Sequence, residues 1–430
     1  MGILFYKPHL HIQYFFPTRG FMEYQIYTLP NGIRIAHRQV PYTQIVHCGL
    51  MLDMGSRDEK PDQVGLAHFW EHMAFKGTKK RKSYHIINRL ESVGGELNAY
   101  TTKEKICFYA SVLDNHFEKS VELLADITFH SIFPENQIEK ERGVILEEMS
   151  MYQDAPEDAI QDDFDTILFA NHQLGANILG TQESVKSFTR NSLQEFITEN
   201  MDTEKIVFSI VGNIPFKRAI HIAEKYLKDI PARKTDVKRT PPQSYLPQRV
   251  SITKTITQAH CAIGRPAYAL KDERRLPFFM LVNLFGGPGM NSRLNMTLRE
   301  KYGLVYSIDA TYSPYVDTGF LGIYFATDKA NLDKANALIM KEMQLLKEKP
   351  LGKLQLHTAK EQLMGQLAMA EESNQSYMLM MAKSILDMGR VESLESIFAE
   401  IKKIEADELQ NITQEMFEEN QLSYLTFIPE

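Results

Sequence analysis

His68 and His72 stand four residues apart with Glu71 between them, in the run LAHFWEHMAFKG (66–77). On an α-helix, residues four apart are separated by about 40° around the axis and one turn along it. Both imidazoles can therefore address a single point. Zinc accepts two neutral imidazoles and a carboxylate and keeps a fourth position open for water. Glu71 lies about 60° from His68 around the axis. That is close enough to face such a water, and too offset to be the natural third ligand, so its expected task is to take the water's proton. The competing interpretation is a solvated polar helix face, and the spacing alone does not remove it.

The helix that must carry these groups is well signalled. Asp62 is placed to cap its start and Gly77 to end it in a left-handed conformation. Leu66, Phe69, Trp70 and Met73 supply apolar contacts that would pin it. A third ligand must come from elsewhere. The segment PENQIEKERGVILEEMSMYQDAPED (134–158) reads as a second helix opened by Pro134. Glu141 and Glu148 are two turns apart and share a face within about 20°, while Glu147 points elsewhere by about 120°. A face with two carboxylates can give one to a metal and use the other to orient a ligand histidine. Helix geometry alone does not choose between Glu147 and Glu148.

Around these helices the pattern is mixed. YQIYTLPNGIRIAHRQV (24–40) is a hairpin about Pro30-Asn31-Gly32, and 43–55, 96–113 and 204–214 read as strands. Helical periodicity covers 63–76, 83–93, 115–130 and 135–152. Antiparallel hairpins mixed with helices imply an α+β fold with helices on one face of a sheet. Residues 231–248 hold four prolines and much charge, the composition of a linker. The chain thus divides into 22–230 and 249–430, with 1–21 as an aromatic extension lacking a signal-peptide h-region. Met22, where regular patterning begins, is a candidate translation start.

The two halves resemble one another. LAHFWEHMAFKG aligns without gaps with LPFFMLVNLFGG (276–287), matching Leu66 to Leu276, Phe69 to Phe279, Phe75 to Phe285 and Gly77 to Gly287. In the second copy Phe278, Leu281 and Val282 stand where His68, Glu71 and His72 stand in the first. The same helix is filled like a core where it lacks polar groups, so chemistry is expected at the first copy.

Bulk properties narrow the function further. A chain of 430 residues exceeds one ordinary core. Its net charge is −7, with no basic block and no apolar run of membrane-spanning length, so neither nucleic acid nor membrane insertion is expected. Cys48, Cys107 and Cys261 are an odd set with no CxxC, expected as reduced, buried thiols. Thiols and the missing signal favour a cytoplasmic home.

HxxEH inverts the order of the HExxH zinc motif. With MAFKGT after it and the last glutamate of ERGVILEE 76 residues beyond the second histidine, the chain closely resembles the M16 (pitrilysin, inverzincin) metallopeptidases, in their shorter M16B-type form. The resemblance implies two homologous α+β domains, each a mostly antiparallel sheet, closing as a clamshell. It implies one Zn2+ per chain held by His68, His72 and Glu148, with Glu71 as general base and Glu141 as a supporting glutamate. GGELNAYTTKEKICFYASV looks like the family's substrate-binding edge strand, with Asn98 and Ala99 holding the peptide backbone and Phe75 beside it. Arg299 and Tyr306, seven apart, look like the pair that orients substrate and stabilises the oxyanion. GGPG (286–289) looks like the family's variable loop; no GK[ST] follows it, which argues against a phosphate loop.

The activity implied is zinc-dependent endoproteolysis of peptides or unfolded segments in a closed chamber, by a homodimer. A non-catalytic peptide-binding or assembly subunit on the same fold and a small-molecule metal hydrolase are the alternatives. The complete HxxEH set opposes the first, and the NAYT-type strand opposes the second.

Overall fold

The computed structural model describes residues 24–430, so the expectations for 1–21 and for Met22 lie outside the described residues. In the first half, strands β1 (Gln25–Thr28), β2 (Arg34–Gln39), β3 (Ile45–Leu52), β4 (Glu96–Thr101), β5 (Ile106–Leu113) and β6 (Ile206–Gly212) form one sheet, ordered β1-β2-β6-β3-β5-β4. Only β2 and β6 pair in parallel. Gly32, at φ 94°, turns the chain between β1 and β2.

In the second half, β7 (Arg249–Lys254), β8 (Ala259–Ala267), β9 (Val305–Pro314), β10 (Gly319–Thr327) and β11 (Ser423–Pro429) are ordered β7-β11-β8-β10-β9. The order repeats β2-β6-β3-β5-β4 strand for strand, including the single parallel pair, β7 with β11. The duplication seen in twelve residues of sequence therefore extends to whole sheets. The helix Arg275–Gly286 occupies the place of the HxxEH helix, and its Phe278, Leu281 and Val282 are buried.

Helices α1 (Leu66–Ala74), α2 (Ser83–Glu91), α3 (Phe117–Phe129) and α4 (Glu135–Asp154) belong to the first half. Leu66, Phe69, Trp70 and Met73 of α1 join Leu50, Phe108 and Leu124 in its main core. Burying each of these large side chains stabilises the fold by about 1.5–3 kcal/mol. A comparable core lies under the second sheet.

The opposite face of each sheet is also covered, and by the other half. Helix α5 (Pro156–Leu168) sets Ile160, Phe164 and Leu168 against Ala262, Phe320 and Leu425 of the second sheet. Reciprocally, the helix Asn374–Met388 sets Tyr377, Met378, Met381 and Ile385 against Ala36, Met51, Val207 and Val211 of the first. Each half's own helices lie on one face, as expected, while an exchanged helix seals the other.

Charge also ties the halves together. Arg57 pairs with Glu104 at 2.5 Å and with Asp317 at 2.9 Å. Residues 231–248 carry no helix or strand until β7, yet Arg239 within them pairs with Asp53 at 2.8 Å and Asp58 at 2.7 Å. Lys105 joins Asp53 at 2.9 Å to Asp387 at 2.7 Å. The three cysteines are buried and free, and burial pushes the Cys48 and Cys261 thiols up to about 12. Among the described residues, no helix is long and apolar enough to cross a membrane.

Candidate metal centre

Helix α1 begins at Gly65 and not at the expected cap, Asp62, which is exposed. Gly65 turns the chain at φ 97°, where a Cβ would lie 2.6 Å from the Leu179 carbonyl oxygen. The buried carboxylate of Glu59 accepts the N–H groups of Gly65 at 2.9 Å and Ala67 at 2.7 Å. These would otherwise be unsatisfied at a helix start. A carboxylate seven residues before the helix thus does what a local cap would do. The far end also differs from expectation. The helix closes on Phe75 in the right-handed region, and Gly77 takes its positive φ of 152° two residues later, bridged to Lys82.

One turn of α1 carries His68 and His72, whose ring centroids are 4.5 Å apart. Helix α4 packs across α1 and brings Glu148 to them. Glu148 Oε1 lies 3.8 Å from His68 Nε2, and Oε2 lies 3.4 Å from His72 Nε2. One ligand atom from each of the three residues falls within 4.8 Å of the other two. A tetrahedral zinc with bonds of about 2.0 Å sets its ligand atoms about 3.3 Å apart, so this donor set fits the ion. Glu147, next in the chain, faces solvent.

On the other side of the His72 ring, Glu141 Oε1 is 3.0 Å from Nδ1. A proton on Nδ1 directed at this carboxylate leaves the Nε2 lone pair toward Glu148. Glu141 Oε2 pairs with Lys76 at 2.7 Å. Burial, together with the charge of His72, pushes the His68 imidazole down to about 3, which keeps it in the neutral form that metals bind.

Glu71 accepts a 2.6 Å hydrogen bond at Oε2 from the Thr101 hydroxyl. Burial raises its pKa, against the lowering effects of Thr101 and His72. Thr101 ends β4, the edge strand that pairs with β5 alone. Asn98 on β4 is exposed, Ala99 is half-buried against the core, and Phe75 sits half-buried 6.3 Å from the Phe108 ring.

Arg299 and Tyr306 lie in the second half. Arg299 is carried by a π-helix, Asn295–Lys301, and its guanidinium stands 5.7 Å over the Tyr306 ring. Tyr306 is 86% exposed. The structure brings these two residues to each other. Among the described residues, no hydrogen bond, ion pair or ring contact joins them to His68, Glu71 or His72.

Three supporting residues escaped the sequence reading: Glu59, Thr101 and Lys76. Thr101 had a signal, since strand alternation places it on the same face as Leu97 and Ala99. Lys76 stands four residues after His72, hence near the same face of the helix. Glu59 had no local signal, because it caps across a loop.

The chain has relatives among known proteins. The family model described as Insulinase (Peptidase family M16) matches residues 34–182, and that described as Peptidase M16 inactive domain matches 187–363. The second match covers the copy in which apolar residues replace the polar triplet. The chain is 34% identical over 394 residues to an "uncharacterized zinc protease" of Bacillus subtilis, covering 92% of this chain and 96% of that one. It is 31% identical over 395 residues to another of Rickettsia bellii, covering 92% and 95%. The fold matches a protease from Helicobacter pylori with a TM-score of 0.86 at 19% identity, over 94% of this chain and 99% of that one. It also matches a peptidase M16 inactive domain from Pseudomonas fluorescens with a TM-score of 0.87 at 16% identity, over 95% and 99%. The chain belongs to peptidase family M16.

Proposed function

We propose that this chain is a zinc-dependent endopeptidase acting on peptides or unfolded polypeptide segments held as an extended strand. The observation that carries this reading is the convergence of His68, His72 and Glu148 beside Glu71. Those three residues would hold one zinc ion per chain. When bound, zinc supplies a Lewis acid for the scissile carbonyl and lowers the pKa of water to about 7.

The remaining work falls to the protein. Glu71 takes a proton from the water that attacks the carbonyl carbon. As the C–N bond breaks, Glu71 returns that proton to the departing nitrogen, so the acyl product keeps the oxygen and the amine gains the hydrogen. Its burial, which raises the carboxyl pKa, makes the carboxylate a better base. The free edge of β4, at Asn98 and Ala99, offers main-chain hydrogen bonds to a peptide of any sequence, with Phe75 alongside. Arg299 and Tyr306 orient substrate and stabilise the oxyanion when the peptide is enclosed in a chamber that excludes folded proteins by size. The family resemblance supports pairing as a homodimer, and the free thiols favour the cytoplasm; sedimentation and fractionation would check the two.

The test is Glu71→Gln, read by zinc content and by cleavage of a mixed peptide set. Zinc is retained and turnover drops by about 10²–10⁴-fold. Near-wild-type cleavage by this variant would remove Glu71 as the base. A wild-type protein that cuts peptides equally well after exhaustive chelation would remove the metal reading altogether.

A further inference from the structure

We infer that Lys76 is a positioning residue of the metal centre, acting through Glu141 to hold the His72 ring in its ligand orientation. This rests on the zinc reading given above. Lys76 follows α1 directly, and its backbone N–H donates to the Met73 carbonyl at 3.1 Å. Its main chain is thus tied to the last turn of the helix that carries His72. The side chain runs to Glu141 Oε2 at 2.7 Å, while Glu141 Oε1 meets His72 Nδ1 at 3.0 Å.

Glu141 has only 6% of its side chain exposed. A carboxylate so enclosed must find its partners within the protein. Here each oxygen has one, the ammonium on one side and the imidazole on the other. With both oxygens engaged, the carboxylate plane is fixed, and so is the direction from which His72 Nδ1 is held. The other ring nitrogen, Nε2, lies 3.4 Å from Glu148 Oε2. The chain Lys76–Glu141–His72–Glu148 therefore defines the ring at both nitrogens. Without the ammonium, one carboxylate oxygen loses its partner and the group is free to turn, and the imidazole loses a fixed acceptor. A lysine serving only as a surface charge would leave metal affinity untouched.

The experiment uses the full chain stripped of metal, with zinc affinity read by competition against a chromophoric chelator. The variants are Lys76→Met, Lys76→Arg, Glu141→Gln and the double variant K76M/E141Q. Lys76→Met should weaken zinc binding by about tenfold, at the lower end of what outer-shell partners contribute. Lys76→Arg should recover most of that loss. The double variant should bind no more weakly than Glu141→Gln alone, since Lys76 acts only through Glu141. Unchanged affinity in Lys76→Met, or losses that add in the double variant, would overturn the assignment. Thermal melts of the metal-free variants establish folding, and Lys76→Gln carries the same expectation where the methionine variant does not fold. A wild-type chain that takes up no zinc defeats the underlying zinc reading, and the assignment of Lys76 with it; zinc uptake that is insensitive to Lys76 defeats this assignment alone.

Discussion

The hydroxyl of Thr101 donates a 2.6 Å hydrogen bond to Glu71 Oε2, joining the end of the edge strand β4 to the carboxylate on α1. The strand proposed to hold the substrate and the group proposed to move the proton are thus mechanically one unit. Thr101→Val keeps the shape and removes the donor. A hydrogen bond to a charged group contributes about 1.5–3 kcal/mol, so turnover should fall about 10–100-fold with zinc content unchanged. Steady-state kinetics with metal analysis checks this, and a variant with normal turnover would reduce the contact to a structural one.

Glu148 and its neighbour Glu147 separate cleanly. Glu148 faces both imidazoles, at 3.4 and 3.8 Å, while Glu147 is exposed. Glu148→Gln should lose zinc on dialysis and Glu147→Gln should retain it. The reverse pattern would reassign the third ligand.

Arg299 and Tyr306 touch each other and not His68, Glu71 or His72. Arg299→Ala and Tyr306→Phe should therefore reduce peptide cleavage by about 10²-fold, the scale of one lost oxyanion donor, with zinc occupancy at the wild-type level. Loss of metal in either variant would point to a folding defect and away from a role in substrate orientation.

The junction between the halves should respond to acid. Burial alone would raise the pKa of Asp53, but Arg239 and Lys105 outweigh it and hold the carboxyl below its ordinary value. A group depressed in the folded state adds stability above its unfolded pKa of about 3.9 and loses it as pH falls through the folded value. Asp53→Asn should therefore be less stable than wild type by on the order of 2 kcal/mol near pH 7. The two proteins should converge as pH falls through that lowered folded value. Thermal melts across this range check the sign; a gap that widens in acid would contradict it.

Much of the first half is legible in the sequence alone. The strand and helix stretches from 24 to 152 appear within a few residues of where alternation and 3.6-residue periodicity place them. The ends of α1 were not legible. Asp62 is the residue type that caps helices, but a buried carboxylate, Glu59, reaches the first N–H groups across a loop. Loop conformation, which sequence periodicity does not encode, decided which acid arrived. The exchange of α5 and of Asn374–Met388 was likewise hidden. An apolar helix face reveals that it will be buried, and says nothing about which sheet will bury it.

The relation of His68, Glu71 and His72 is a property of the sequence, because helix periodicity is local and sets three side chains on one turn without help from the rest of the chain. The gathering of Glu148 and Glu141 about them is a property of the tertiary structure. It depends on α4 crossing α1, and so on packing between segments some 70 residues apart. The placement of Arg299 and Tyr306 apart from that centre was likewise decided by how two sheets, each covered by a helix of the other half, are docked and charge-paired.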